Sequence, residues 1–157
     1  MDLKIIRNKM LCAAVVLLCL AATCGRDTRV KVEGGVAPDF ILTGSGSLGY
    51  LQITGPKIRD AEGLAAYTDW EIVPIDGYLN GRHLSSLSPI HYGQIPAGYR
   101  QKYPEGGQQS PALVEGQTYT AIFDTTGANR AVVDFTIRDG RAVFVRDPMA
   151  NVNRPPR

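Results

Sequence analysis

The chain has 157 residues, 17 lysines and arginines against 15 acids, and a formal charge of +2. That length is enough for one well-filled core but short for two domains. Charge so nearly balanced, with no basic run, leaves no electrostatic footprint for nucleic acid.

Lys4, Arg7 and Lys9 form a basic leader, and Met10 to Ala22 contains no charge. Crossing a bilayer takes about 20 apolar residues, so this run is too short to span. A basic leader, a short apolar run and then small residues describe a secretory signal peptide. Here Ala21, Ala22 and Thr23 lead directly into Cys24. This arrangement resembles the lipobox of bacterial lipoproteins. The resemblance implies that the Cys24 thiol carries diacylglycerol and becomes the first residue of the mature chain. Thr23 stands where that family has glycine, alanine or serine, and Leu20 lies one place further back than the usual leucine. Cleavage by an ordinary signal peptidase, giving a secreted protein, is the alternative. Gly25, not aspartate, follows the cysteine, and the sorting rule of enteric lipoproteins then implies the outer membrane.

Cys12 and Cys19 leave with the leader, so the mature chain keeps Cys24 alone. That excludes an internal disulfide and a cysteine-based metal site. Loss of Lys4, Arg7, Lys9 and Asp2 leaves fourteen charges of each sign, a formally neutral mature protein. The expected organisation is a signal peptide at 1–23, a lipidated tether at 24–29, one domain at 30–146 and a proline-stiffened tail at 147–157.

Within the domain, apolar residues alternate and glycines and prolines punctuate. "DFILTGSG" places Phe40 and Leu42 on one face, and "LGYLQITG" turns Leu51 and Ile53 inward. "RDAEGLAAY", residues 59–67, predicts a turn or two of helix, weakened by Gly63. "TDWEIVPI" sets Trp70 and Ile72 against Asp69 and Glu71, and "QTYTAIFD" sets Tyr119, Ala121 and Phe123 against threonines. Short alternating runs between turn signals predict an all-β, antiparallel sandwich or barrel of about seven to nine strands. In "VVDFTIRDGRAVFV", Asp139-Gly140 predicts a type I′ hairpin with Phe135 opposite Phe144 and an apolar face toward the core.

Residues 113–129, "LVEGQTYTAIFDTTGAN", resemble the late-strand region of fibronectin type III and related immunoglobulin-like domains through Leu113, Gly116 and Tyr119. The resemblance implies a two-sheet sandwich, a Tyr119 hydroxyl capping main chain at a corner, and a buried Trp70. The layout around "YGQIPAG" is also similar to small uncharacterised bacterial lipoproteins, which imply no activity.

Residues 76–111 form a long irregular region, of the kind that is often functional. Short strands are expected near Ile90–Tyr92 and Tyr99–Tyr103. Tyr78, Tyr92, Tyr99 and Tyr103, with Arg100 among them, make a candidate binding surface, since tyrosine pairs a large apolar face with a polar tip. "GSGSLG" at 44–49 matches a phosphate-cradling glycine pattern, but a strand-like "YLQIT" follows where a helix is required, so a turn is expected.

His83 and His91 lie near Ser85, Ser86 and Ser88 without a recognisable nucleophile turn, and zinc needs three or four placed ligands. Asp60 with Glu62, or Asp69 with Glu71, are candidate acid–base pairs, though solvated strand faces look the same. Two readings follow. The first is a non-catalytic envelope lipoprotein, without cofactor or metal, that holds the bilayer through Cys24 and binds an envelope protein or glycan. The second is a small hydrolase or carbohydrate-processing enzyme using the 76–111 loop.

Overall fold

The computed structural model describes residues 27–55, 58–60, 63–65 and 67–146. The leader, Cys24, Glu62 and the tail lie outside them. The described residues form an all-β antiparallel sandwich. In chain order the strands are β1 (Arg29–Gly34), β2 (Pro38–Thr43), β3 (Ser47–Thr54), β4 (Ile58–Asp60), β5 (Gly63–Ala65) and β6 (Thr68–Pro74). After a short helix α1 (Leu84–Leu87) come β7 (Ile90–His91), β8 (Tyr99–Tyr103), β9 (Thr118–Thr126), β10 (Ala131–Arg138) and β11 (Arg141–Arg146). One sheet has the order β1-β2-β7, the other β11-β10-β9-β3-β6-β8, and β4 and β5 pair separately as a hairpin.

Alternation decides what is buried. Leu51 and Ile53 on β3, Trp70 and Ile72 on β6, Ala121 and Phe123 on β9, and Phe135 and Ile137 on β10 are all fully buried. Phe40 of the small sheet meets Phe123 and Phe135 of the large one edge-to-face, at centroid distances of 5.4 and 5.8 Å. Each such pair contributes about 0.5–1.5 kcal/mol beyond its area burial, so this cluster locks the two sheets together. Tyr119 stacks on Phe135 at 5.7 Å, and its hydroxyl accepts the Val114 N–H at 2.8 Å.

Asp139 and Gly140 have φ of +53° and +68°, as a type I′ turn requires. Phe135 pairs with Phe144 and Arg138 with Arg141 across the hairpin. The Glu115 carboxylate accepts both turn amides, Asp139 at 2.6 Å and Gly140 at 3.2 Å. The expectation that the hairpin's apolar face is buried holds only on β10. Phe144 is 48% exposed: β11 is the outermost of six strands, and of its described residues only Ala142, near the turn, is buried.

The expected helix over 59–67 is instead the β4–β5 hairpin, with Asp60 paired to Gly63. Gly63 costs a helix about 1 kcal/mol and nine residues are too few to hold one alone. The helix lies at Leu84–Leu87, where Leu84 and Leu87 enter the core and the His83 ring accepts the Ser85 N–H. Its paired serines, poor helix formers, hid it in the sequence.

The ends of the sandwich differ. At one, which we term proximal, the Asn129 amide donates to the Asp27 carboxylate at 2.9 Å, and Asp27 sits against the Gly44 turn. At the distal end, Gly35 bridges to Arg141 beside the Asp139–Gly140 turn.

Candidate functional site

Strands β3, β6 and β8 are neighbours, so the residues that alternate away from the core share one outer face. Cross-strand pairing brings Gln52 opposite Glu71, and Val73 opposite Arg100. Tyr50, Gln52, Glu71, Arg100 and Lys102 line a shallow cavity of about 520 Å³. Val73, Pro74 and Gly77 also line it, with Tyr78, from the turn at 78–80, which lies across Gly49. Gly49 is the extra residue of a bulge between Leu48 and Tyr50, and a β-carbon there would overlap the Tyr78 ring. Glycine in a strand marks such a close approach.

The Tyr78 hydroxyl donates to Asp124 at 2.6 Å, and its ring tilts 45° to Tyr50 at 6.5 Å. The bond to the Asp124 carboxylate, then slight desolvation, raises the Tyr78 phenol above its ordinary range, so it stays a donor. Lys102 pairs with Glu71 at 3.0 Å. The Gln52 amide donates to Thr68 at 2.8 Å, which leaves its carbonyl oxygen as an acceptor. Arg100 is exposed and makes no ion pair among the described residues.

Of the expected tyrosine surface, the structure therefore joins Tyr78 and Arg100. Tyr103 is 43% exposed but does not line this cavity. Tyr92 and Tyr99 are buried and act from inside. The Tyr99 hydroxyl donates to the Leu48 carbonyl at 2.8 Å and accepts the Arg82 N–H at 3.0 Å. Tyr92 donates to the Pro111 carbonyl at 2.8 Å and packs edge-on against Trp70. Each ties an irregular segment to the sandwich, because a buried phenol needs a partner. Tyr50 and Gln52 were missed as site residues. The alternation of β3 carried the signal, since they stand opposite the inward Leu51 and Ile53.

A second cavity, about 640 Å³, opens at the distal end between the 92–94 and 109–113 segments. Asp69 is the bulged residue of β6, and its Oδ2 is buried without a partner among the described residues. Burial pushes its carboxyl up to about 6. The bulge separates Asp69 from Glu71, which faces out on Lys102, so the two do not form an acid–base pair. His91 meets the Asp39 carboxylate at 2.5 Å across β2 and β7, and His83 meets the Ser85 hydroxyl at 2.9 Å. Neither histidine lines either cavity. Among the described residues no three His, Cys, Asp or Glu side chains cluster as metal ligands. No protein-family model, no curated protein and no solved structure matches this chain.

Proposed function

We propose that this chain is a lipid-anchored, non-catalytic binding module of the bacterial cell envelope, and that the outer face of β3, β6 and β8 meets its partner. The carrying observation is the Tyr78 ring laid over Gly49 in one cavity with Arg100, which has no ion pair among the described residues, an exposed arrangement that core packing does not require. Sites borne on strands hold their geometry better than sites on loops. The lipid anchor rests on the run from Lys4 to Cys24. Two residues, Gly25 and Arg26, separate Cys24 from Asp27, so three chain steps give a reach of at most about 11 Å. The anchor would therefore hold the proximal end close to the bilayer, the outer membrane by the Gly25 rule.

A hydrolase would need a base beside a substrate cleft. His91, the histidine with a carboxylate, sits on the small sheet next to the distal cavity's Tyr92 but lines neither cavity. The test is hydrogen exchange on the full chain in detergent, with and without an envelope extract of the native organism. The expected result is slowed exchange in β3, β6 and β8, lost in a Tyr78→Ala, Arg100→Gln double variant. Equal protection in wild type and double variant would assign the partner to another surface.

A further inference from the structure

We infer that the ligand of the β3-β6-β8 face is a carboxylate-bearing saccharide, an inference that rests on the binding-module reading. Of the three charged residues that line the cavity, Glu71, Lys102 and Arg100, only Arg100 makes no ion pair among the described residues. Glu71 is matched by Lys102 at 3.0 Å, and Asp124, outside the lining, accepts the Tyr78 hydroxyl at 2.6 Å. Arg100 remains, a planar fork that takes a carboxylate through two parallel hydrogen bonds.

The rest of the face suits a hydroxylated ring. A sugar hydroxyl both donates and accepts, and here acceptors and donors line one cavity. The Gln52 carbonyl oxygen and the second Glu71 oxygen accept, while Lys102 and Arg100 donate. Tyr50 and Tyr78 supply tilted aromatic faces for the C–H side of a pyranose, and Tyr78 is 44% exposed. A lipid or an apolar peptide anchor would leave these polar groups desolvated and unpaired, at a cost for each. A cavity of about 520 Å³ is within the ordinary range for small-ligand sites. The strands keep the groups in place before the ligand arrives, which lowers the ordering cost of binding.

The experiment is calorimetric titration of the full chain in detergent with trigalacturonate, its methyl ester and neutral maltotriose. Trigalacturonate should bind about tenfold tighter than its ester, the scale of one charge-assisted bidentate contact. Arg100→Gln should remove that preference, and Tyr78→Ala should weaken acid and ester alike. Near-ultraviolet circular dichroism of the buried Trp70 checks that each variant is folded. Gly49→Ala is a second variant that displaces the Tyr78 ring while keeping every polar group, and it too should weaken binding. Equal affinity for acid and ester, no binding by any of the three, or an Arg100→Gln variant that keeps the preference would overturn the inference. If the saccharides do not bind while an envelope extract still protects the face, the ligand class is wrong and the binding-module reading survives. If neither acts on the face, both fall.

Discussion

At Asp69 the chain places a carboxylate where water barely reaches one of its oxygens. Burial raises the folded-state value to about 6 from an ordinary 3.8, so the folded protein holds this proton more tightly than the unfolded chain. Between those values the native state binds the extra proton, and stability falls as pH rises through the window. The contribution is fully present below about pH 4 and lost by the time pH has passed 6. Asp69→Asn should therefore stabilise the protein at pH 7, by on the order of 1 kcal/mol once the solvent reaching the group is discounted. Thermal unfolding followed by Trp70 fluorescence at pH 4, 5, 6 and 7 measures the difference between wild type and variant. That difference should shrink toward acid, and a difference that grows toward acid would reverse the sign argued here. Tyr119 allows a second test at this scale. Removing its hydroxyl leaves the Val114 N–H without its protein partner, so Tyr119→Phe should cost about 1 kcal/mol in denaturant unfolding.

Among the elements, the region from Asp76 to Pro111 carries α1, β7 and β8, and two buried tyrosines fasten its irregular stretches. Tyr99 clamps residue 82 to β3, and Tyr92 clamps residue 111 beside the distal cavity. Tyr99→Phe leaves the buried Leu48 carbonyl and the Arg82 N–H unmatched there, at about 1–3 kcal/mol. It should also speed amide exchange at residues 81 and 82 more than in β9 or β10, which hydrogen exchange resolves. Uniform acceleration would mean that Tyr99 supports the whole fold instead of this loop. The β10–β11 hairpin has a local clasp of its own. Gly140→Ala places a side chain at φ +68° and should cost about 1 kcal/mol, the penalty of left-handed backbone for an ordinary residue. Glu115→Ala removes the acceptor of both turn amides and should weaken the same hairpin. Urea midpoints of the two variants and their double mutant would reveal the coupling as a departure from additivity.

For the whole molecule, the proposed function depends on how the sandwich would stand relative to a lipid on Cys24. Asp27 is held at the proximal end by Asn129, and the eight residues of β3 run toward the distal end over about 27 Å. An acylated Cys24 would therefore leave the distal cavity turned away from the bilayer and the Tyr78 face along the flank. Wild type should partition into detergent phase and incorporate labelled fatty acid, and Cys24→Ser should do neither. One acyl chain holds only reversibly, so the wild-type phenotype requires at least two. Wild type that stays in the aqueous phase without label would make the chain a secreted protein.

Much of this protein is determined by its sequence alone, because β-structure writes a period of two into the chain and turns need particular residues. The inward set from Phe40 to Phe135, the Asp139–Gly140 register and the burial of Trp70 all follow from local rules. Position along the sheet does not. Phe144 obeys the alternation yet stays exposed, since strand order leaves β11 at the edge of the large sheet and no local pattern reveals which strand is the edge. The amphipathic chemistry of tyrosine in an irregular stretch made Tyr92 and Tyr99 look like partners of Tyr78, whereas tertiary packing turns their hydroxyls to main-chain groups of Pro111, Leu48 and Arg82 inside the fold. Residues 59–67 could satisfy either helix or hairpin, and a nine-residue stretch is too short for propensity to choose. Tyr50, Gln52, Glu71, Arg100 and Lys102 come from strands far apart in the chain. Only the β3-β6-β8 order makes them neighbours, because strand adjacency is settled by long-range pairing that no local pattern encodes.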